Sequence, residues 1–274
     1  LDTLPKIPAW VTSTRFEAIE DVAFLSGAAL NHLHVVLGRE EVPQALLRDR
    51  LALHAAEACV AFSGRRQRAG ELRDTVHLLR PGDLPGPAGE TCLAWRRAVE
   101  RLVSVKALGR ALPTLEPGQI ATWLDAGHGA PVTRAATVLE AVLMEAPRAE
   151  VSAFVLADAA LAQALGWDHL VPLMAPGLKR ADLRKRGDDL RLACHRALVS
   201  SAVEAVRLSA DLARRAAHLK AVAPKLRAKA AGDAVEMFLS QDAIAPAALP
   251  LSDRAARRLC DRLVTLGAIR ELTG

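Results

Sequence analysis

The densest concentration of side chains able to do chemistry lies between Arg65 and Gly89. Arg65, Arg66, Arg68, Arg73, Asp74, His77, Arg80 and Asp83 stand there beside the run Arg80-Pro81-Gly82-Asp83-Leu84-Pro85-Gly86-Pro87. Pro removes backbone donors and Gly permits positive φ, so this run reads as a loop of defined shape. Asp74 and His77 are three apart on a predicted helix over 71–79 and can face the same way. A carboxylate so placed orients an imidazole for general-base work. The Arg80 guanidinium offers paired donors for a phosphate or carboxylate. Asp74, His77, Arg80 and Asp83 are therefore the candidates for catalysis or small-anion binding. The structural alternative is that Arg80 and Asp83 satisfy loop carbonyls and amides while His77 caps the helix C-terminus. It is the preferred reading, because no nucleophile or metal cluster accompanies the segment.

The second concentration is at the C-terminus. Ser252 is a good N-cap, and Asp253 suits the positive end of a helix. Leu259, Leu263 and Leu266 recur at helical spacing, and Gly267 stops the run. Arg254, Arg257, Arg258 and Arg262 cover the other faces, and Ile269 to Thr273 is expected to begin a strand. A short basic helix followed by a strand is the ending of a winged helix-turn-helix, whose second helix enters the DNA major groove. Residues 213–274 hold eleven Lys or Arg against six Asp or Glu, which accounts for the whole net charge of +5. Phosphate contact requires such a placement. Compositional drift in an Ala-, Arg- and Leu-rich chain is the bland account. Asp253 and Asp261 lower the local charge of the helix, and no aromatic is interleaved for single-strand stacking. A module used only for protein contact or dimerisation is the alternative.

Other chemistry is not written in the chain. There is no phosphate-binding Gly-rich loop, no His-Glu-x-x-His and no Gly-x-Ser-x-Gly, so no cofactor is expected. Cys59, Cys92, Cys194 and Cys260 are scattered without zinc spacing, and they read as reduced core thiols with no metal. Trp167-Asp168-His169 reads as a packing anchor before a Pro-bearing turn. Of His32 and His34, one is expected to be buried and hydrogen-bonded. No signal peptide or apolar run of membrane length is present, which predicts a cytoplasmic protein without a membrane partner. Leu1 in place of an initiator Met points to a trimmed chain.

The elements that must position these residues are helices. Hydrophobic residues make up 51% of the chain, yet there are only five Phe, four Trp and no Tyr. Ala and Leu favour helices, whereas strands favour β-branched and aromatic residues. Periodicity predicts helices over 16–37, 42–62, 71–79, 88–101, 103–111, 117–126, 132–146, 149–164, 189–222, 226–240, 245–249 and 252–266. Residues 1–14 read as an extended lead-in, and 166–188 as irregular. In the first helix Ala23, Phe24, Gly27, Leu30 and His34 form the expected buried stripe. In the second it is Leu47, Leu51, His54, Ala55 and Ala58. The expected architecture is all-α: a helical body over 1–212, then a C-terminal winged-helix-like helix-turn-helix module over 213–274 with an incomplete wing.

Several stretches carry a resemblance. They include Pro8-Ala9-Trp10, Glu20 to Leu30, Ser63-Gly64-Arg65-Arg66, His77 to Asp83, Leu165-Gly166-Trp167, Ala223 to Lys229 and Leu251 to Leu259. With these the chain resembles a bacterial, mainly alphaproteobacterial, family of the domain of unknown function 1403, along nearly its whole length. The resemblance implies an architecture and no activity. The Ser-Asp-Arg-Ala-Ala-Arg-Arg-Leu ending is also similar to the C-terminal helix-turn-helix of Fic-related rhizobial proteins, which implies a second strand completing the wing. The Fic signature itself is absent, which argues against AMP transfer. The leading expectation is a DNA-binding accessory or regulatory protein with double-stranded DNA as partner. The alternatives are an enzyme or anion binder around His77, Arg80 and Asp83, and an interaction module that contacts itself or another protein.

Overall fold

The computed structural model describes residues 4–13, 18–80, 82–226 and 231–272. Among them the chain forms thirteen α-helices and no strand. In order they are α1 (Ala9–Ser13), α2 (Ile19–Leu37), α3 (Gln44–Phe62), α4 (Ala69–His77), α5 (Gly86–Glu100), α6 (Val105–Ala111) and α7 (Pro117–Asp125). Then follow α8 (Pro131–Glu145), α9 (Glu150–Leu165), α10 (Met174–Gly177), α11 (Gly187–Val222), α12 (Ala231–Ser240) and α13 (Asp253–Thr265). Short 3-10 turns lie at Arg180–Arg184, Ala223–Lys225 and Pro246–Ala248. An isolated antiparallel bridge joins Leu102 to His169.

The centre of the body is α9. Every residue from Ser152 to Ala162 is buried, as expected of a helix that is apolar on all sides. Its one interior charge, Asp158, is fully buried and accepts hydrogen bonds from the backbone N–H groups of Leu173 (3.2 Å) and Met174 (3.1 Å). Asp158 thus caps the start of α10, satisfying amides that no helical carbonyl can reach. Burial pushes its carboxyl well above the usual range, against the pull of those amides. Gly166, in the left-handed conformation at φ 68°, turns the chain out of α9. Around α9 pack α8 as its antiparallel neighbour, α7, α5 and α10, while α2 lies along α11 and α3 along α5.

The 36-residue α11 is the longest element, roughly 54 Å at 1.5 Å per residue. It runs unbroken past residue 212 and serves two hydrophobic clusters. The large cluster takes α11 residues as far as Leu212, and a small one takes Leu219 and Val222 with residues of α12 and α13. Pro224 sits in the 3-10 turn that ends the rod.

Four local expectations are corrected. Ala9–Ser13 is a short helix inside the expected lead-in, and its Trp10 stacks on Phe24 with ring centroids 5.7 Å apart. The buried face of α2 consists of Val22, Leu25, Ser26, Ala29, Leu30, Leu33 and Val36, whereas Phe24, Gly27 and His34 are exposed. α2 is apolar on nearly all sides, so periodicity allowed either stripe, and packing on α11 selected this one. In α3 His54 is exposed. Residues 269–272 are not a strand. No other described segment lies extended beside them to supply ladder hydrogen bonds, and Ala268 and Ile269 instead pack on the small cluster. Thr273 and Gly274, like Phe16, Pro81 and residues 227–230, lie outside the described residues.

Candidate functional site

Each of the four residues singled out near the Pro/Gly loop has a local partner or a small recess. The Asp74 carboxylate accepts from Arg73 Nε at 2.9 Å and stands 2.8 Å from a terminal nitrogen of the same guanidinium. His77 faces inward, lining a recess with Asp49, Leu53, Arg73, Cys92, Arg96, Asp242 and Ala243. That recess holds about 10 Å³, room for a single water. Beside it Arg96 grips Asp49 with two hydrogen bonds, at 2.8 and 3.3 Å, and Arg50 pairs with Asp242. Asp83 accepts from the Arg80 backbone N–H at 2.9 Å, and Arg80 O accepts from the Asp83 N–H at 3.0 Å. Arg80 and Asp83 therefore close a turn through the backbone. Among the described residues, no side chain of these four is bonded to the side chain of another.

The C-terminal helix is arranged differently. α13 buries Ala256, Leu259 and Leu263 on the small cluster and exposes Arg254, Arg257, Arg258, Arg262 and Asp261. Arg257 is 3.2 Å from Asp253. Arg254, Arg258 and Arg262 follow at i, i+4 and i+8, one ridge with about 6 Å of rise between neighbours. None of these three is ion-paired among the described residues. Ser252 occupies the N-cap position without a side-chain cap bond. The other end is closed by Gly267 at φ 68°, with Gly267 N–H bonded to Val264 O and Ala268 N–H to Leu263 O, both at 2.9 Å. These bonds form a Schellman motif. His218 of α11 donates from Nε2 to Leu266 O at 3.1 Å, which ties the same end to the rod.

A third arrangement was not singled out as a site in the sequence, although four residues of the expected α2 stripe, Ala23, Gly27, Leu30 and His34, line it. One side of α2, the start of α8, Leu165 at the end of α9 and His195 of α11 enclose an open cleft of about 390 Å³. His195 is only 6% exposed, and its Nδ1 lies 2.6 Å from the Oγ of fully buried Ser26. His34, also on the cleft wall, accepts at Nδ1 from Trp167 Nε1 at 2.9 Å. His34 and Trp167 are 133 residues apart and Ser26 and His195 are 169 apart, so no local spacing rule could pair them.

The family model described as Protein of unknown function (DUF1403) matches residues 1–274. The chain belongs to this family. No curated protein and no solved structure matches it.

Membership of DUF1403 brings no activity with it, so the chemistry of this DUF1403 chain rests on its own geometry. Burial holds the His195 imidazole down at about 4, with Arg191 adding to the effect, so the ring is neutral at physiological pH. Ser26 Oγ also donates to Ala23 O at 2.9 Å. No carboxylate is bonded to His195 among the described residues, so the pair lacks the orienting acid of a serine-hydrolase triad. It positions a neutral ring at the wall of a cleft. Three of the thiols are held in the protonated form. Burial raises Cys59 to about 12 and Cys92 to about 11, and it pushes Cys194 up further. No helix among the described residues is long and apolar enough to cross a membrane.

Proposed function

We propose that this chain is a cytoplasmic bacterial protein that binds double-stranded DNA as an accessory or regulatory factor. In this reading residues 1–212 form a helical body, and 213–274 form a helix-turn-helix module of winged-helix type with an incomplete wing. α13 is the groove-facing helix. The observation that carries the reading is the ridge of Arg254, Arg258 and Arg262, exposed and, among the described residues, without an ion-pair partner, on a helix whose opposite face is anchored on its own small core. The thirteen residues of α13 span roughly 20 Å, a length suited to the major groove. Arg257, at the edge of the ridge, is paired with Asp253.

Fluorescence-anisotropy titration against a mixed-sequence duplex tests this. Three phosphate contacts correspond to a slope of about −2.7 in log affinity against log salt, or about a 40-fold loss between 50 and 200 mM. Changing Arg258 and Arg262 together to Gln should reduce the slope by nearly 2 while leaving the melting temperature in place. Binding that is insensitive to salt, or unchanged in the double variant, would sink the assignment of these residues. It would favour contact with protein through the same helix.

A further inference from the structure

The cleft between α2, α8, α9 and α11 has no part in the DNA reading, and its chemistry is of another kind. Among the described residues its wall consists of Ala23, Gly27, Leu30, Ala130, Pro131, Val132 and Leu165, with Ser26, Asn31, His34 and His195 as the polar groups. Among the described residues no Asp, Glu, Lys or Arg lines it. Its volume of about 390 Å³ lies within the range of small-molecule sites. A charged ligand would leave water there without an ionic partner, which is costly.

The polar groups are specified by bonds outside the cleft. An indole N–H can only donate, so His34 Nδ1 accepts from Trp167. The proton of the neutral His34 ring therefore sits on Nε2, which is a donor. Ser26 occupies Nδ1 of His195, leaving Nε2 as the one ring nitrogen available to a ligand. α8 starts on the rim at Ala130 with no side-chain cap; Pro131 has no N–H and the Arg134 N–H bonds to Ala130 O, which leaves the N–H groups of Val132 and Thr133 without a helical acceptor. A hydroxyl or carboxamide, which both donates and accepts, satisfies this set. The space itself is unfilled at Gly27, where an added Cβ would meet no atom within 4 Å.

We propose that this cleft is a binding site for an uncharged small molecule with an apolar body and a hydroxyl or carboxamide group. The apolar body lies along Gly27, Leu30, Val132 and Leu165, and the polar group bonds to His195. The site is separate from α13, so it stands or falls independently of DNA binding.

Isothermal titration calorimetry of the full chain tests it with three matched probes: 2-naphthol, naphthalene and 2-naphthoate. 2-Naphthol should bind at one site, at least tenfold tighter than either of the others. Gly27→Leu places a side chain in the cleft and removes a helix-destabilising glycine, so it should lower 2-naphthol affinity at least tenfold without lowering the melting temperature. His195→Leu should bring the 2-naphthol and naphthalene affinities close together. Three results would overturn the proposal. They are no binding of 2-naphthol, binding of 2-naphthoate as tight as that of 2-naphthol, and unchanged binding to a folded Gly27→Leu protein.

Discussion

The backbone N–H of Asp242 donates to the Asp49 carboxylate at 3.1 Å, across 193 residues of sequence. One residue along α3, Arg50 pairs with the Asp242 carboxylate. The segment after α12 is thus fastened to the body by one residue used twice, through its main chain and its side chain. Asp242→Ala removes the ionic half and leaves Arg50, about one-third exposed, without its partner. The change should lower the opening free energy of α12 and α13 by about 2 kcal/mol. Hydrogen exchange should accelerate in those helices and not in α9. Uniform acceleration throughout the chain would mean that the small core has no independent stability.

Asp158 is expected to be intolerant of shortening. Asp158→Ala strips two buried N–H groups, those of Leu173 and Met174, of their acceptor. At 1–3 kcal/mol for each unsatisfied group, a loss of about 3 kcal/mol follows. Asp158→Asn retains one oxygen and should lose about half as much. Urea denaturation reads both values, and equal losses would show that the carboxylate does not cap α10.

Two glycines should respond in opposite directions to the same change. A Cβ on Gly177 would lie 2.4 Å from Ala197 O and 2.7 Å from Ser201 Oγ, because α10 is seated directly on α11. Gly177→Ala should therefore destabilise by about 2 kcal/mol through overpacking. Gly27→Ala meets nothing and should stabilise α2 by about 0.5–1 kcal/mol. Thermal melts of the two variants decide it, and a shift of the same sign in both would contradict this packing.

His195 should give the protein a characteristic pH response. Its native pKa is depressed by burial from 6.5 to about 4, so the folded state resists protonation. The stability this contributes is present above pH 6.5 and is lost as pH falls toward 4. The full separation corresponds to about 3 kcal/mol. Screening at the open mouth of the cleft reduces this to about 2 kcal/mol. Urea midpoints measured from pH 7.5 to 4 should fall less steeply in His195→Gln than in the parent chain. Parallel curves would mean that the ring titrates freely in the native state.

Much of the helical layout was legible in the sequence because it is set by local rules. Pro and Gly punctuate the chain at Pro117, Pro131, Gly166, Pro224 and Gly267, and each lies within two residues of the end of an α-helix. The apolar face of α13 was likewise readable, since Leu259 and Leu263 repeat at helical spacing on an otherwise charged helix. Family membership rests on the match over residues 1–274.

Which faces are buried was not readable for α2, whose apolar residues surround it, so that packing on α11 had to choose between stripes. Nor could the sequence show that Asp74 turns to Arg73 and His77 to the Asp49–Arg96 side, since the i, i+3 relation permits a contact without requiring one. The cleft lay furthest out of reach. It exists because α2, α8, α9 and α11 leave a gap, and its polar groups pair across 133 and 169 residues. Local periodicity therefore determined the helices and their ends. Only the docking of helices distant in sequence decided which side chains face one another, because a helix fixes the direction of its side chains relative to its own axis and not to its neighbours.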